Sequence, residues 1–220
     1  MVSVILCTHN DSHLMMPALE SCLHQDVKTE VVVVDDASTV PLTNECKTLM
    51  SEHGNVRYIK HWKNVGLSAA RNTGITNATY DKVIPLDADD HLFPNVLGKL
   101  SSSMDSSDAD VTYGNLWTLG HMDYPCVQPW TKNLLRKMNP IFCSSLIKKV
   151  IWDKVGGYLV REGPHYEDWQ FWNRCFMAGA KFVYVDTIVY EHVERGDSML
   201  RKLGLECDKY VKIATECLGA

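Results

Sequence analysis

Three carboxylates stand within four positions, Asp87, Asp89 and Asp90, in the stretch VIPLDADDHLFP (83–94). Ionised together they repel one another, so their bunching at the end of an apolar run calls for a counter-charge. Carboxylates two apart at a strand end can hold Mg²⁺ or Mn²⁺ through oxygen ligands. The plainer reading is an acidic turn that caps the following helix. A second acidic pair, Glu167-Asp168, opens EDWQFWNRCFMAGA (167–180). There the alternatives are carboxylates favoured by a helix dipole and a general base. Asp35-Asp36 sits in VVVVDDAST (31–39), where Asp and Ser also suit an ordinary strand-ending turn. The chain contains neither GxxxxGK[ST] nor GxGxxG, so a bound nucleotide needs a positive partner other than a glycine-rich loop.

The elements that carry these residues alternate. VSVILC (2–7), EVVVVD (30–35), VRYIKH (56–61), KVIPLD (82–87) and DVTYGNLW (110–117) read as strands. Between them HLMMPALESCLH (13–24), TNECKTLMSEH (43–53), GLSAARNTGITNA (66–78) and a segment near 95–104 read as helices. An Asn10-Asp11-Ser12 start signal precedes the first of these. Continuous apolar strands separated by helices imply right-handed crossovers and a mainly parallel sheet covered on both faces. Ligands of such sheets bind beyond the carboxyl ends of the strands, where Thr8, Asp35-Asp36 and Asp87–Asp90 all fall. Beyond residue 118 the pattern is less regular. It reads as a loop (119–130), a strand (141–147), a helix (147–157), a strong helix with Trp169, Trp172 and Phe176 on one face (167–180), a strand (181–190) and a helical tail from Met199.

At 220 residues the chain suits one well-buried domain, and 45% hydrophobic with 22% charged residues is ordinary for a globular protein. A net charge of −5 offers no general field for nucleic acid. No window approaches the ~20 apolar residues of a membrane span. The first residues read as a strand rather than a signal peptide. No two of the eight Cys are close enough to form a CxxC pair, and a reduced, cytoplasmic compartment is the expectation. Lys132, Arg136, Lys137, Lys148, Lys149 and Lys154 make the middle of the chain basic. The plain reading is solvated helix faces, and the sharper one is an anionic or membrane-surface acceptor.

VVVVDDAST (31–39), NVGLSAARNTG (64–74), LDADDHLFP (86–94) and GGY…EDWQFW (156–172) follow in this order at matching spacings. In these motifs the chain resembles the family 2 glycosyltransferases of the GT-A fold, from Val2 to about Ser198. The resemblance implies a Rossmann-like α/β fold in one domain (1–198), with a nucleotide-binding half (1–115), an acceptor half (116–198) and a tail (199–220). It implies an inverting hexosyltransferase that uses a nucleotide-diphosphate sugar, expected to be UDP-linked, an acceptor hydroxyl on a carbohydrate or other molecule, and Mn²⁺ or Mg²⁺. Thr8 and Asp36 match positions that contact the nucleobase, and Arg71 and Asn72 match a helix whose basic residue faces the nucleotide. Asp87 matches a carboxylate near the ribose and Asp89 the metal ligand, while Asp90 caps or supports the site. Asp168 matches the catalytic base. His192 matches a residue that completes the metal shell, although Arg195 and Asp197 depart from the usual spacing before Ser198; the alternative is that Arg195 contacts the diphosphate instead. Two rival readings are a sugar nucleotidyltransferase, which would carry a glycine-rich basic loop after the first strand, and a non-catalytic sugar-nucleotide-binding module.

Overall fold

A computed structural model describes residues 1–118, 121–124, 130–163, 165–193 and 207–219. In chain order the elements are β1 (Val2–Thr8), α1 (Met15–Leu23), β2 (Thr29–Asp35), α2 (Asn44–Glu52), β3 (Val56–Lys60), α3 (Leu67–Thr76), β4 (Lys82–Asp87), β5 (His91–Leu92), α4 (Val96–Ser107) and β6 (Val111–Thr118). There follow β7 (His121–Asp123), α5 (Lys132–Leu135), β8 (Leu146–Lys148), α6 (Lys149–Val155), α7 (Glu167–Met177), β9 (Phe182–His192) and α8 (Cys207–Thr215), which runs into a 3₁₀ turn (Glu216–Leu218).

The strands form one sheet in the order β3-β2-β1-β4-β8-β6-β9-β5, with β7 paired to β6. The first four are mutually parallel, and β8 is antiparallel to both β4 and β6. Every residue of β1 and β2 is buried, as a parallel strand covered on both faces requires. Their side chains alternate between two cores. Val4, Leu6, Val31 and Val33 pack with α1 and α4, whereas Ile5, Val32 and Val34 pack with α3, α6 and α7. Helix α3 lies so close to β1 that a Cβ at Gly74 would overlap Ile5.

Several local expectations move. The Asn10 side chain does not cap α1, which starts at Met15 without a side-chain cap. Its Oδ1 instead accepts from the N–H groups of Thr39 (2.8 Å) and Val40 (3.1 Å), tying together the loops after β1 and β2. The strand expected over 141–147 shrinks to Leu146–Lys148. Ser145 donates its N–H to Cys143 O and its hydroxyl to Phe142 O, a local pairing that bends the chain away from the ladder. Part of the expected 119–130 loop is strand β7, a hairpin partner of β6. Helix α8 packs on α7: Gln170 and Asn173 donate side-chain N–H groups to the carbonyls of Ile213 (3.3 Å) and Ala214 (3.0 Å). No helix among the described residues is long and apolar enough to cross a membrane.

Candidate active site

The strand register assembles one edge of the site without further help. Thr8 pairs with Asp35 and Cys7 pairs with Asp87, so the ends of β1, β2 and β4 lie side by side. Asp35 is turned into the fold, where it accepts from Ser38 N–H (2.7 Å) and Tyr58 Oη (2.5 Å). Burial alone would raise its pKa, but these hydrogen bonds outweigh burial and hold it below the ordinary carboxylate value.

Asp36 points the other way along the chain and grips the segment before α3. Its carboxylate accepts from His61 Nδ1 (2.7 Å), Val65 N–H (3.0 Å) and Gly66 N–H (2.7 Å). Gly66 has φ 89° and ψ 161°, a conformation open essentially only to glycine, and this aims its N–H at Asp36. A carboxylate has about four lone-pair positions, so most of the Asp36 capacity is used inside the protein. The nucleobase contact that the resemblance implies therefore has little acceptor capacity left at this group. Beside it, the Thr8 hydroxyl is buried and has no hydrogen-bond partner among the described residues, an acceptor and donor at the strand end. His9 donates Nδ1–H to Asp36 O (2.7 Å), which leaves Nε2 to accept from Asn10 and Asn64 (both 3.1 Å).

Arg71 joins the two acidic stretches. It is 1% exposed, and Nη2 donates to both Asp87 oxygens (2.9 and 3.2 Å) while Nη1 donates to Glu167 Oε1 (2.7 Å). Its guanidinium lies over the Tyr158 ring at 5.6 Å. Burial would lower its pKa, but Asp87 and Glu167 raise it further, so the side chain stays a cation. The sequence resemblance aims this residue at the nucleotide; in the fold its Nη1 and Nη2 donate to two carboxylates, and Nε is buried without a partner among the described residues. Asn72 on the same helix is structural. It donates to Tyr158 O (2.7 Å) and accepts from Tyr158 N–H (2.8 Å), locking GGY (156–158) against α3.

Because Arg71 holds Glu167, the next residue of α7 is delivered to the same place. Asp168 Oδ1 accepts from Trp169 N–H (2.7 Å) and Oδ2 from Asn139 Nδ2 (2.8 Å). Burial, with Glu167 beside it, pushes the Asp168 carboxyl up to about 7, against the opposing pull of Arg71 and these two hydrogen bonds. A carboxyl tuned close to neutrality is suited to take a proton.

At the far side of the β4 end, Asp90 is 2% exposed and accepts from His192 Nδ1 (2.9 Å) and Val193 N–H (3.2 Å). Burial pushes Asp90 up to about 6, and the hydrogen bond to Asp90 raises His192. This carboxylate–imidazole pair leaves His192 Nε2 as the outward nitrogen, the arrangement that orients a metal-ligating His. Asp89, one position before Asp90, is half-buried. Among the described residues no three His, Cys, Asp or Glu side chains form a ready metal cluster. Arg195 lies outside the described residues. Of the basic residues in the middle of the chain, Arg136, Lys148, Lys149 and Lys154 are bound to protein partners (Gly219 O, Asp108, Ala78 O and Ala178 O), as ordinary surface helices would have them.

Sequence reasoning missed Asn139, His61 and Tyr158. Only the Asn-Pro dipeptide at 139–140 carried a signal, and that signal is for a turn.

The family model for Glycosyl transferase family 2 matches residues 3–162. The glycosyltransferase GlyG of Streptococcus pneumoniae serotype 4 is 24% identical over 225 residues, covering 91% of this chain and 73% of GlyG. The cholesterol galactosyltransferase of Borreliella burgdorferi is 23% identical over 220 residues, covering 90% of this chain and 61% of that protein. Among solved structures, S. aureus TarS 1-349 in complex with UDP-GlcNAc superposes with a TM-score of 0.73 at 19% identity, over 91% of this chain and 60% of that one. The same TarS fragment in complex with UDP gives a TM-score of 0.73 at 18% identity. The fold is thus that of the GT-A glycosyltransferases, and this chain spans about three-fifths of the solved TarS fragment.

Proposed function

The chain belongs to glycosyl transferase family 2, and on that footing we propose that it transfers a sugar from a UDP-linked donor to an acceptor hydroxyl, with inversion at the anomeric carbon. The observation that carries this reading is the Arg71 bridge, which brings the β4 carboxylates and the α7 carboxylates to one buried guanidinium. Donor-side and acceptor-side groups are then parts of a single site. Solved complexes of a fold relative with UDP-GlcNAc and with UDP support the choice of donor.

In this reading the nucleotide lies across the ends of β1, β2 and β4. Thr8 offers its unpartnered hydroxyl to the base, and Asp36 shapes the pocket by holding the 61–66 loop. Asp87, partly exposed and fixed by Arg71, faces the ribose. Asp89 and the outward nitrogen of His192 would hold Mn²⁺ or Mg²⁺. When bound, that cation supplies charge neutralisation for the departing diphosphate. Asp168 accepts the proton of the attacking hydroxyl as its oxygen bonds to the anomeric carbon and the bond to the diphosphate breaks. One displacement of this kind, on the face opposite the leaving group, inverts the centre. The acceptor is a hydroxyl-bearing molecule, a carbohydrate in the first instance, and the expected working compartment is the cytoplasm. The rival non-catalytic reading would leave a base tuned near neutrality without a task.

Calorimetry with UDP tests the donor side. Because no glycine-rich phosphate loop exists, UDP should bind in Mn²⁺ and bind far more weakly in EDTA, and Asp89→Asn should abolish the difference. Equal affinity in both buffers would remove the metal from this account.

A further inference from the structure

We propose that Asn139 is a positioning residue for Asp168: its amide holds one carboxylate oxygen in place and so decides which lone pairs face the acceptor hydroxyl. The inference rests on the reading of Asp168 as the base. Asn139 is built into its position by a chain of local causes. The Thr131 hydroxyl accepts from Leu134 N–H (3.2 Å) and starts the short helix α5. Leu135 is fully buried, and its carbonyl accepts from Trp169 Nε1 (2.9 Å), which fastens the end of that helix to the residue after Asp168. Pro140 disfavours helical backbone for the residue before it, and the turn after α5 ends ahead of Asn139.

The side chain is committed to one task. Nδ2 donates to Asp168 Oδ2 at 2.8 Å, whereas Oδ1 is buried and has no partner among the described residues. Turning the amide over would set Oδ1 against an acceptor-only carboxylate, so the donor end is the one that faces Asp168. An unsatisfied buried acceptor costs free energy. An amide that only filled space would carry that cost for nothing, so its N–H must serve the carboxylate. With Trp169 N–H on Oδ1 and Asn139 on Oδ2, each Asp168 oxygen has one protein donor, and the remaining lone pairs are left to the substrate. The charged and titratable groups around Asp168 are Glu167 on its own helix, Arg71 on α3 with its partner Asp87, and the neutral Cys143 and Tyr158. Of these only Arg71 favours the ionised form, and the hydrogen bonds from Trp169 N–H and Asn139 act in the same direction.

The test is the titration of Asp168 itself, followed by NMR of isotope-labelled Asp carboxyls, with its resonance assigned by its loss in Asp168→Asn. Asn139→Ala should move the midpoint upward by about one pH unit, because losing a hydrogen bond to a charged group is worth roughly a factor of ten or more. Should that variant fail to fold, the isosteric Asn139→Asp carries the test. A carboxylate in place of the donor should raise the midpoint further and split the titration into two steps. A midpoint that stays at the wild-type value in a folded Asn139 variant, even one with a lowered melting temperature, would overturn the proposal and leave Asn139 a packing residue. Failure of the underlying reading shows separately, as sugar transfer that survives Asp168→Asn.

Discussion

The two halves of the site are held by different means. At the ends of β1, β2 and β4 the acidic groups are gripped by neighbours that the strand register and short loops bring in: Ser38 on Asp35, and Val65 and Gly66 on Asp36. Around α7 the grip runs through side chains that join the helix to distant segments. Asn139 holds Asp168, Trp169 reaches Leu135 O, and Gln170 and Asn173 bind the carbonyls of the C-terminal helix. In the first group backbone donors work beside the side chains of Tyr58 and His61, all supplied by elements that the sheet order already places there. Side-chain donors can be exchanged without changing the fold, so the second group depends more on residue identity. Arg71 is the joint between them.

Breaking the joint should have the largest effect. Arg71→Met leaves Asp87 and Glu167 without their cation, and loss of one partner from a buried ion pair costs roughly 3–5 kcal/mol. Asp87 keeps 30% of its side-chain surface exposed, so the low end of that range is expected. Chemical denaturation should show the loss, and turnover of the remaining folded protein should fall as Glu167 shifts. A variant as stable as wild type would mean that the halves are held together elsewhere.

Asp168→Asn comes next and separates the two halves functionally. Transfer should drop by at least the ~10²-fold typical of a lost general base, in kcat and not in UDP affinity. The same variant carries a pH signature in stability. An unfolded Asp titrates near 4, whereas burial lifts folded Asp168 to about 7. Between those values the native state binds the extra proton, so stability is lost as pH rises through the window. Thermal melts should therefore show Asp168→Asn more stable than wild type at pH 8 and level with it near pH 4. A stabilisation of ~1 kcal/mol would appear as a shift of roughly 2–4 °C for a chain of this size. The opposite ordering would mean that Asp168 is held as a paired carboxylate, with no base-like tuning.

The smallest effect should come from the cradle. Asp36→Ala frees the N–H groups of Val65 and Gly66 and one His61 nitrogen, all in a part-buried loop that water can re-enter. A loss of about 0.5–1.5 kcal/mol in UDP binding is expected, because the loop is held less firmly while no contact to UDP is removed, with Mn²⁺ affinity unchanged. Calorimetry on the folded variant checks it; a loss of about a hundred-fold or more would mean that Asp36 touches the base directly.

The alternation of elements through residue 118 was legible because it depends on properties local to the chain. Apolar runs such as VVVV (31–34) can be satisfied only by strands buried on both faces, and glycines and turn residues punctuate them. Parallel order then places Thr8, Asp35 and Asp87 along one edge, so three of the polar clusters could be located from residue order alone. What the tertiary structure decided is the partner of each buried polar group. Arg71 meets Glu167 across 96 positions, and Asn139 meets Asp168 across 29. His192 likewise meets Asp90 across 102. Residue type announces that such a group needs a partner. Which partner it finds depends on how separate segments pack, and on how burial strengthens one hydrogen bond over another. No periodicity in the chain encodes that outcome.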